Sequence, residues 1–269
     1  MNDIVIIRSG GDIASGIAHR LYKCGFKVII LEIQNPLLIR RSISFADSIN
    51  KGKKEVEGVV AKHIKRYDEI DGIWKNREIP VIIDEDCTIL NYIKPLAVVD
   101  AILAKKNTGT HIDMAPITIG VGPGFEAGVD VNLVVETNRG QTLGQVIHSG
   151  KAEENTGIPG NIIGYTTERV IKAPCDGVLT IKEDIGSMVN QGDIVCYVGN
   201  KPVKTVISGI VRGMIADKTN VFKGLKIADV DPRGKVEYCD IISDKARAVG
   251  GGVVEAIMHM KNRVWGDEL

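Results

Sequence analysis

The first part of the chain contains a strand, a glycine-rich turn, a helix and a second strand that ends in an acid. The apolar run at residues 4–7 leads into Ser9-Gly10-Gly11, and the apolar run at residues 28–31 ends at Glu32. Small residues at a helix start let backbone N–H groups approach a diphosphate, and the helix dipole favours its charge. A carboxylate about 20 residues later can accept ribose hydroxyls. The pattern therefore predicts a dinucleotide-binding α/β fold.

The glycine motif departs from the usual G-x-G-x-x-G spacing. Aligned on the helix start, Ser9, Gly11 and Ala14 occupy the three small positions, so a serine replaces the first glycine. Alanine suits the third position, which needs only close packing of helix on strand. A tight turn that binds nothing is the competing interpretation. The predicted ligand-binding residues of this region are Ser9, Gly10, Gly11, Asp12, Ala14, Glu32 and Arg41.

A second candidate binding segment is the turn Gly122-Pro123-Gly124-Phe125, which lies between two predicted strands. Two glycines around a proline can expose successive N–H groups as an anion-binding nest. A sharp turn with a structural role is the alternative. We predict that Gly122, Gly124 and Phe125 contribute to the ligand site. We also expect the turn to lie at the carboxyl edge of the sheet, on the same side as residues 10–14.

The composition favours a cytoplasmic protein that binds neither nucleic acid nor a membrane. Lys+Arg and Asp+Glu both number 34, so no excess of charge favours either partner. The five cysteines include no C-x-x-C pair, which favours a reducing compartment and no metal centre. No leader segment and no apolar run of about 18 residues is apparent. No Ser–His–Asp or Cys–His motif is recognisable, so the sequence assigns no catalytic residue and leaves open whether the protein is an enzyme.

An internal repeat organises the second half of the chain. Gly177-Val178-Leu179 corresponds to Gly209-Ile210-Val211, and residues 189, 192 and 195 correspond at the same spacing to residues 221, 224 and 227. Two copies of a strand–turn–strand unit favour a pseudo-twofold β-sandwich. The spacing resembles the barrel-sandwich hybrid fold of lipoyl and biotinyl domains over about residues 168–232. The connection at residues 196–204 lacks the carrier-lysine motif of those domains, so Lys201 is predicted to be an ordinary turn residue.

The last part of the chain has the periodicity of a helix over residues 243–263, with Gly250-Gly251-Gly252 in its middle. Glycine in a helix is unfavourable by about 1 kcal/mol relative to alanine, so either a close backbone contact offsets this or the helix breaks there. The whole chain is predicted to be α/β in three parts. A Rossmann-like, mostly parallel sheet covers 1–165, an all-β barrel-sandwich hybrid covers 166–235, and a C-terminal helix at 236–269 packs back on the first domain.

Five separated motifs resemble those of the selenium-dependent molybdenum hydroxylase accessory (maturation) proteins. They are residues 10–16, 36–45, 122–130, 155–160 and 229–233. The resemblance implies a role in maturing or loading a molybdenum cofactor into a hydroxylase of the xanthine dehydrogenase type, with that hydroxylase as partner. It also implies a ligand, molybdopterin cytosine dinucleotide, whose diphosphate would lie at the glycine turn. It carries over no catalytic residue.

Three functions remain open at this point. The preferred one is an accessory protein that binds a molybdopterin-type dinucleotide and hands it on. The second is an NAD-dependent oxidoreductase, which is weakened by the lack of an identifiable proton donor. The third is a non-enzymatic assembly factor with a degenerate nucleotide site, whose β-sandwich docks a client hydroxylase. The sequence leaves open the ligand, the presence of catalysis and the oligomeric state.

Overall fold

The structure, a computed structural model, describes residues 3–265 of the 269-residue chain. The chain forms two compact units, and both are discontinuous in sequence. Unit 1 comprises Met1–Pro36, Ser44–Asn155 and Ile242–Leu269, and unit 2 comprises Leu37–Ile43 and Thr156–Ile241. The predicted boundaries at 165/166 and 235/236 stay a prediction about which parts fold independently.

Unit 1 is built on a nine-stranded sheet. Its strands are β1 (Ile4–Arg8), β2 (Lys27–Glu32), β3 (Lys53–Val56), β4 (Val59–Ile64), β5 (Ile79–Ile83), β6 (Ala97–Asp100), β7 (Ile117–Val121), β9 (Leu133–Val135) and β10 (Val146–Ile147), and a separate small sheet pairs β8 (Glu126–Ala127) with β11 (Gly150–Lys151). The order across the large sheet is β10-β9-β7-β6-β1-β2-β5-β4-β3. Strand β1 is central because its apolar run is buried on both faces, as a parallel strand requires.

Four α-helices belong to unit 1: α1 (Asp12–Lys23), α2 (Ser48–Lys51), α3 (Ile70–Lys75) and α4 (Asp244–Trp265). Helix α1 buries the stripe Ile13, Ile17 and Leu21, which recurs every three or four residues. Helix α3 packs with Ile70 and Ile73 in an apolar cluster that includes residues of β1 and β2. The helix predicted at the start of the chain is therefore confirmed.

The Rossmann-like assignment of the first domain is wrong. The sheet is mixed, because β3 and β10 pair antiparallel at its two edges. A doubly wound fold places a helix between successive parallel strands. Here the connection from β5 to β6 contains only the 3₁₀ turn Thr88–Asn91, and that from β6 to β7 only the 3₁₀ turn Ile112–Met114. Neither connection therefore contains the α-helix that covers the sheet in a doubly wound fold, and the first packs Cys87 and Ile89 of an irregular segment into the core instead.

Helix α4 runs unbroken through its three glycines and packs on α1. A Cβ added at Gly16 would lie 2.7 Å from the Ala246 Cβ, and one added at Gly250 would lie 3.1 Å from the Gly16 carbonyl oxygen. A Cβ at Gly252 would collide with the backbone of Gly144. The glycines therefore permit close backbone contacts, which was one of the two predicted explanations. No helix among residues 3–265 is long and apolar enough to cross a membrane.

Unit 2 contains two four-stranded antiparallel sheets. The strands are β12 (Val170–Lys172), β13 (Gly177–Ile181), β14 (Met188–Val189), β15 (Ile194–Val198), β16 (Lys201–Lys204), β17 (Gly209–Met214), β18 (Asn220–Val221) and β19 (Lys226–Asp231). One sheet has the order β12-β19-β17-β14 and the other β16-β15-β13-β18. The internal repeat is confirmed, because β13 pairs with β15 and β18 while β17 pairs with β19 and β14.

The assignment of residues 166–235 as a barrel-sandwich hybrid is nevertheless corrected. The unit is not a contiguous stretch of the chain, because residues 37–43 are part of it. Met214 N–H donates to the Ile39 carbonyl at 2.8 Å, and Ile39 lies so close to Gly213 that a Cβ there would be 2.7 Å from its side chain. The repeat thus describes strand pairing within two small sheets. The arrangement of a Rossmann domain followed by a barrel-sandwich hybrid is not supported.

Candidate ligand site at the start of two helices

The carboxyl ends of the parallel strands in unit 1 meet at one edge of the sheet. Strands β2 and β6 lie on opposite sides of β1 and run parallel to it. The chain order therefore reverses between β1 and β6, and ligands in open α/β sheets bind near such a reversal. We call this the carboxyl edge. The loops that follow β1, β6, β7 and β9 all begin there.

A buried ion pair occupies the reversal itself. Arg8 Nη1 lies 3.1 Å from Asp100 Oδ2, and the two side chains are 7% and 1% exposed. The Thr110 hydroxyl donates to Asp100 at 2.6 Å, and the Glu85 carbonyl accepts from Arg8 at 3.2 Å. Both charges thus have partners within the chain. Removing either partner would leave the other buried and unpaired, so this pair is structural.

Glu32, the predicted ribose acceptor, holds the glycine turn in place. Its Oε1 accepts the Gly10 N–H at 2.8 Å and its Oε2 accepts the Ile33 N–H at 2.8 Å. The residue is 7% exposed. A carboxylate that already accepts two backbone N–H groups fixes local structure. The sequence predicted correctly that Glu32 lies beside the glycine turn. Its hydrogen-bonding partners in the structure are backbone N–H groups of the chain.

Contacts within the chain account for the two residues before Gly11, which are Ser9 and Gly10. Ser9 has φ +89°, a conformation that glycine adopts readily and serine rarely does. Its N–H donates to the Leu31 carbonyl at 2.7 Å, which fixes the turn. A Cβ at Gly10 would lie 2.8 Å from the Ala46 backbone nitrogen, so only glycine fits there. Gly10 is therefore required for packing.

Gly11 is different, because nothing in the chain requires it to be glycine. Its φ is −66°, which any residue adopts, and a Cβ there would meet only the Ser9 hydroxyl at 3.6 Å. It is the N-cap of α1 and provides no side-chain cap, whereas Ser243 Oγ caps α4 by accepting the Ala246 N–H at 3.1 Å. The first N–H groups of a helix carry partial positive charge and need partners. The start of α1 is thus an uncapped helix end with open space beside it.

Lys245 reaches this region from the other end of the sequence. Gly16, in the first half of α1, lies against Ala246, and Phe26, just after α1, lies near the amine of Lys261. The two helices therefore run in the same direction, and both begin at the carboxyl edge. Lys245 is the second residue of α4 and is only partly exposed.

The environment of Lys245 disfavours its charge. Burial lowers the pKa of this amine below its usual value, and the nearby Arg139 guanidinium lowers it further. The carboxylates of Asp12 and Glu136 act in the opposite direction. Glu136 is 2% exposed and accepts the N–H groups of Thr137, Asn138 and Glu153 at 2.6–2.8 Å. We call Gly11, Asp12, Glu136 and Lys245 the helix-start site.

Lys245 was not predicted from the sequence. Local patterns do not show which distant residues share a surface, and Lys245 lies near the opposite end of the chain from Gly11. The usable signal was Gly250-Gly251-Gly252, which indicated close backbone packing by the last helix without naming its neighbour. Among the described residues, no group of three His, Cys, Asp or Glu side chains is arranged to hold a metal ion.

The turn at residues 122–125 lies at the predicted edge, since β7 runs parallel to β6 and hence to β1. Its glycines serve packing. The Gly122 N–H donates to the Val135 carbonyl at 2.8 Å, and a Cβ at Gly122 would lie 2.7 Å from the Thr137 hydroxyl. A Cβ at Gly124 would lie 2.9 Å from the Lys106 backbone, and Phe125 is buried. A nest of free successive N–H groups is therefore not formed at Gly122.

Two further predicted ligand-binding residues, Ala14 and Arg41, are engaged in packing or pairing within the chain. Ala14 is 1% exposed in α1. Arg41 belongs to unit 2, where its Nε donates to the Met214 carbonyl at 2.7 Å and its guanidinium pairs with Asp184. Of the predicted set, Asp12 lies close enough to Lys245 to influence its pKa, and Gly11 directly precedes Asp12 in the chain.

Comparison with known proteins adds one clear relative. No family model matches the chain. The protein YqeB of Escherichia coli (strain K12), whose description is "uncharacterized", is 49% identical over 262 residues. The match covers 97% of this chain and 48% of YqeB, so the chain spans about half the length of that relative.

The solved structures found by comparison share little with this chain. An aspartoacylase family protein from Mesorhizobium loti has TM-score 0.28 and 10% identity, over 86% of this chain and 85% of that one. The product-bound ectoine utilization protein EutE (DoeB) from Ruegeria pomeroyi has TM-score 0.25 and 11% identity, over 85% and 57%. A succinylglutamate desuccinylase/aspartoacylase from Rhodobacter sphaeroides has TM-score 0.25 and 12% identity, over 85% of each chain. Likeness this slight transfers no activity to this chain.

These findings correct the predicted identity. The proteins found are aspartoacylase and desuccinylase family proteins and YqeB, and none of these is described as a molybdenum hydroxylase accessory protein. The resemblance drawn from five short motifs was wrong. The expectations that depended on it, a role in molybdenum cofactor maturation and a client hydroxylase as partner, are withdrawn. The nucleotide-binding role, the NAD-dependent oxidoreductase and the assembly factor are withdrawn as well.

Proposed function

We propose that unit 1 binds a small molecule through an anionic group, a carboxylate or a phosphate, at the helix-start site. The observation that carries the proposal is the start of α1. It lacks a side-chain cap, it has open space at Gly11, and a half-buried lysine from another helix lies beside it. Backbone N–H groups at a helix start together with a nearby cation are the usual means of holding an anion.

The two carboxylates of the site restrict the ligand. Asp12 and Glu136 lie close enough to Lys245 to influence its pKa, so the site is not uniformly positive. A purely anionic ligand would be repelled by them. A ligand with an anionic group and a neighbouring hydroxyl or amino group fits better, since the latter can donate to Asp12. The site therefore favours small hydroxy or amino acids and their phosphorylated relatives.

Lys245 supports a binding role because its position is unfavourable for stability. Its pKa is lowered mainly by burial, which means that the folded state disfavours the charged amine. Groups held in an unfavourable state cluster at functional sites. An anion bound beside Lys245 would favour the protonated amine and relieve that effect.

Calorimetric titration of the whole chain with inorganic phosphate and with lactate tests the proposal. We expect heat of binding from at least one of these probes. Gly11→Val should abolish binding without unfolding the protein, because its side chain enters the open space. Lys245→Gln should weaken binding by about 1.5–3 kcal/mol, the contribution of a hydrogen bond to a charged group.

The matched control is Lys75→Gln, which alters an exposed lysine in the last turn of α3. It should leave the affinity unchanged. Absence of heat with both probes on folded protein would overturn the proposal. Equal affinities for the wild type and Gly11→Val would do the same, because they would place the anion elsewhere.

We also propose that the protein works in the cytoplasm, as its cysteine usage predicts. Cys24, Cys87, Cys175, Cys196 and Cys239 are all free thiols. Burial raises the pKa of the Cys196 thiol to about 11, which keeps it protonated at neutral pH. Fractionation of cells that produce the full-length protein would test the location, and recovery outside the cytoplasm would contradict it.

A further inference from the structure

Two histidine side chains of unit 1 meet far from the helix-start site. His148 directly follows β10, and His259 lies in the second half of α4. The centres of their rings are 4.8 Å apart, and the ring planes stand at 71° to each other. Lys245 precedes His259 by fourteen residues on the same helix, which separates them by about 21 Å along its axis. The histidine pair is therefore distinct from the proposed anion site.

Close packing of α4 against the chain before β10 holds the two rings in position. Gly252 lies so near the Gly144 backbone that no side chain fits between them. His259 follows Gly252 by seven residues, just under two helical turns, so both lie on the same face of α4. His148 follows Gly144 by four residues, across the short strand β10. Both histidines are thus close to a backbone contact that leaves little freedom.

The His259 ring has a nitrogen that the described part of the chain does not use. Its Nε2 atom is shielded from solvent and has no hydrogen-bonding partner among the described residues. Buried polar atoms without partners are rare in folded proteins, because the fold loses their hydration without replacing it. His148 is exposed, so an ion from solvent can reach the pair. An ion bound at Nε2 would supply the missing partner.

The spacing of the two rings is the one that a shared metal ion requires. A zinc-bound imidazole nitrogen lies about 2.0–2.1 Å from the ion and the ring centre about 1.1 Å further, so two rings bound at about 90–109° have centres about 4.5–5.1 Å apart. The observed 4.8 Å falls within that interval. Aromatic rings in edge-on contact have the same spacing. Edge-on packing, however, offers Nε2 only a weak contact with a ring face.

We propose that His148 and His259 together bind one divalent transition-metal ion of the zinc, nickel or copper class. Imidazole nitrogen is a preferred ligand of these ions. The cysteine pattern, which predicts no metal centre, does not bear on a site built from histidine.

The proposed ion would join α4 to β10, the edge strand of the large sheet. Among the described residues, no third His, Cys, Asp or Glu side chain is arranged with the pair to hold a metal. A structural zinc site is closed by four protein ligands. This ion would instead keep its remaining positions for water or a small ligand.

Metal titration of the full chain tests the inference. The chain is prepared without a histidine tag, and Zn²⁺ and Ni²⁺ are added separately in a buffer that does not chelate them. We expect one bound ion per chain and a melting temperature that rises with metal concentration, because the ion binds the folded protein. X-ray absorption of the zinc-loaded protein should show nitrogen and oxygen ligands at about 2.0–2.1 Å and no sulfur at about 2.3 Å.

Phenylalanine variants separate metal binding from ring packing. His148→Phe keeps an aromatic ring beside His259 and removes one ligand, and its exposed position should let the variant fold normally. It should bind zinc at least about ten-fold more weakly, since loss of even an outer partner of a metal site has an effect of that size. His259→Phe should weaken binding in the same way. The matched control is His111→Ala, which alters an exposed histidine outside the pair and should leave the affinity unchanged.

Three results would each overturn the inference. Equal zinc affinities for the wild type and folded His148→Phe would leave the histidine pair as ring packing. Sulfur ligands in the absorption spectrum would place the ion on free thiols, of which Cys24 is exposed. Absence of saturable binding of both ions to folded protein would exclude the site. The anion site would stand or fall independently, because neither histidine belongs to it.

Discussion

At the scale of single residues, the two neighbouring glycines of the turn, Gly10 and Gly11, have different surroundings and therefore different reasons to be glycine. Gly10 is glycine because a side chain would strike the backbone at Ala46, whereas Gly11 has room for one. The sequence alone treats the two alike, since both match a motif of small residues. The distinction needs the position of Ala46, which no local pattern gives. The proposed anion site therefore uses the open space at Gly11 and not Gly10, whose surroundings are filled by the chain.

This difference predicts opposite effects on stability. Gly10→Ala should lower the free energy of unfolding by about 1–3 kcal/mol, since its Cβ would lie 2.8 Å from a backbone atom in a packed region. Gly11→Ala should change it little, because its nearest contact is at 3.6 Å and its φ is −66°. Urea denaturation of both variants measures this. Equal destabilisation by the two changes would contradict the geometry of the turn.

Lys245 gives a pH-dependent prediction. Its pKa in the folded protein is lowered from 10.5, so between the two values the unfolded chain binds more protons than the folded one. The free energy of unfolding therefore rises with pH through that interval. Lys245→Met removes the effect, so the variant should be more stable than the wild type at neutral pH. Its advantage should shrink as the pH rises towards 10.5.

The measurement is the difference in unfolding free energy between the two proteins at several pH values. Lys75→Met serves as the control, since its lysine is exposed and its effect should not vary with pH. A variant that is less stable than the wild type at neutral pH would show that the charged amine is stabilised in the folded state. The binding proposal would then lose the support that it takes from Lys245.

At the scale of elements, the sequence predicted those whose evidence is local. The buried stripe of α1, the apolar runs of β1 and β2, and the internal repeat of unit 2 are all readable from neighbouring residues. The prediction that helices connect the parallel strands throughout the sheet was wrong. It extended the first strand–helix–strand unit, β1-α1-β2, to the later strands. The connections after β5 and β6 contain 3₁₀ turns in place of helices.

The contact between α1 and α4 carries the third prediction. Gly16→Ala should lower the free energy of unfolding by about 1–3 kcal/mol, because the new Cβ would lie 2.7 Å from the Ala246 Cβ. Gly72→Ala in α3 is the matched control, where a Cβ meets nothing within 4 Å. It should stabilise the protein by up to about 1 kcal/mol through helix propensity. Thermal unfolding of both variants tests this, and a neutral Gly16→Ala would mean that the helices lie further apart.

At the scale of the whole molecule, the chain is divided differently from what its order suggests. Residues 37–43 belong to unit 2 although the chain on either side of them belongs to unit 1, and residues 242–269 return to unit 1. Changes in composition along the sequence predict domains that are contiguous in the chain. Which residues belong to which compact unit is decided by packing between distant segments, which these changes do not show. The helix-start site follows the same rule, since it needs segments from both ends of the chain.

Because the helix-start site lies in unit 1, a bound anion should protect unit 1 and not unit 2 from hydrogen exchange. Phosphate at ten times its dissociation constant should stabilise the folded protein by about 1.4 kcal/mol, which follows from mass action. Hydrogen exchange should slow at the start of α1, over residues 11–16, and at the start of α4, over residues 244–248, where the site lies. Strands β13 and β17 of unit 2 should exchange at unchanged rates. The Gly11→Val variant should show none of this protection. Protection confined to unit 2 would place the anion in unit 2 and refute the helix-start site, because α1 and α4 both belong to unit 1.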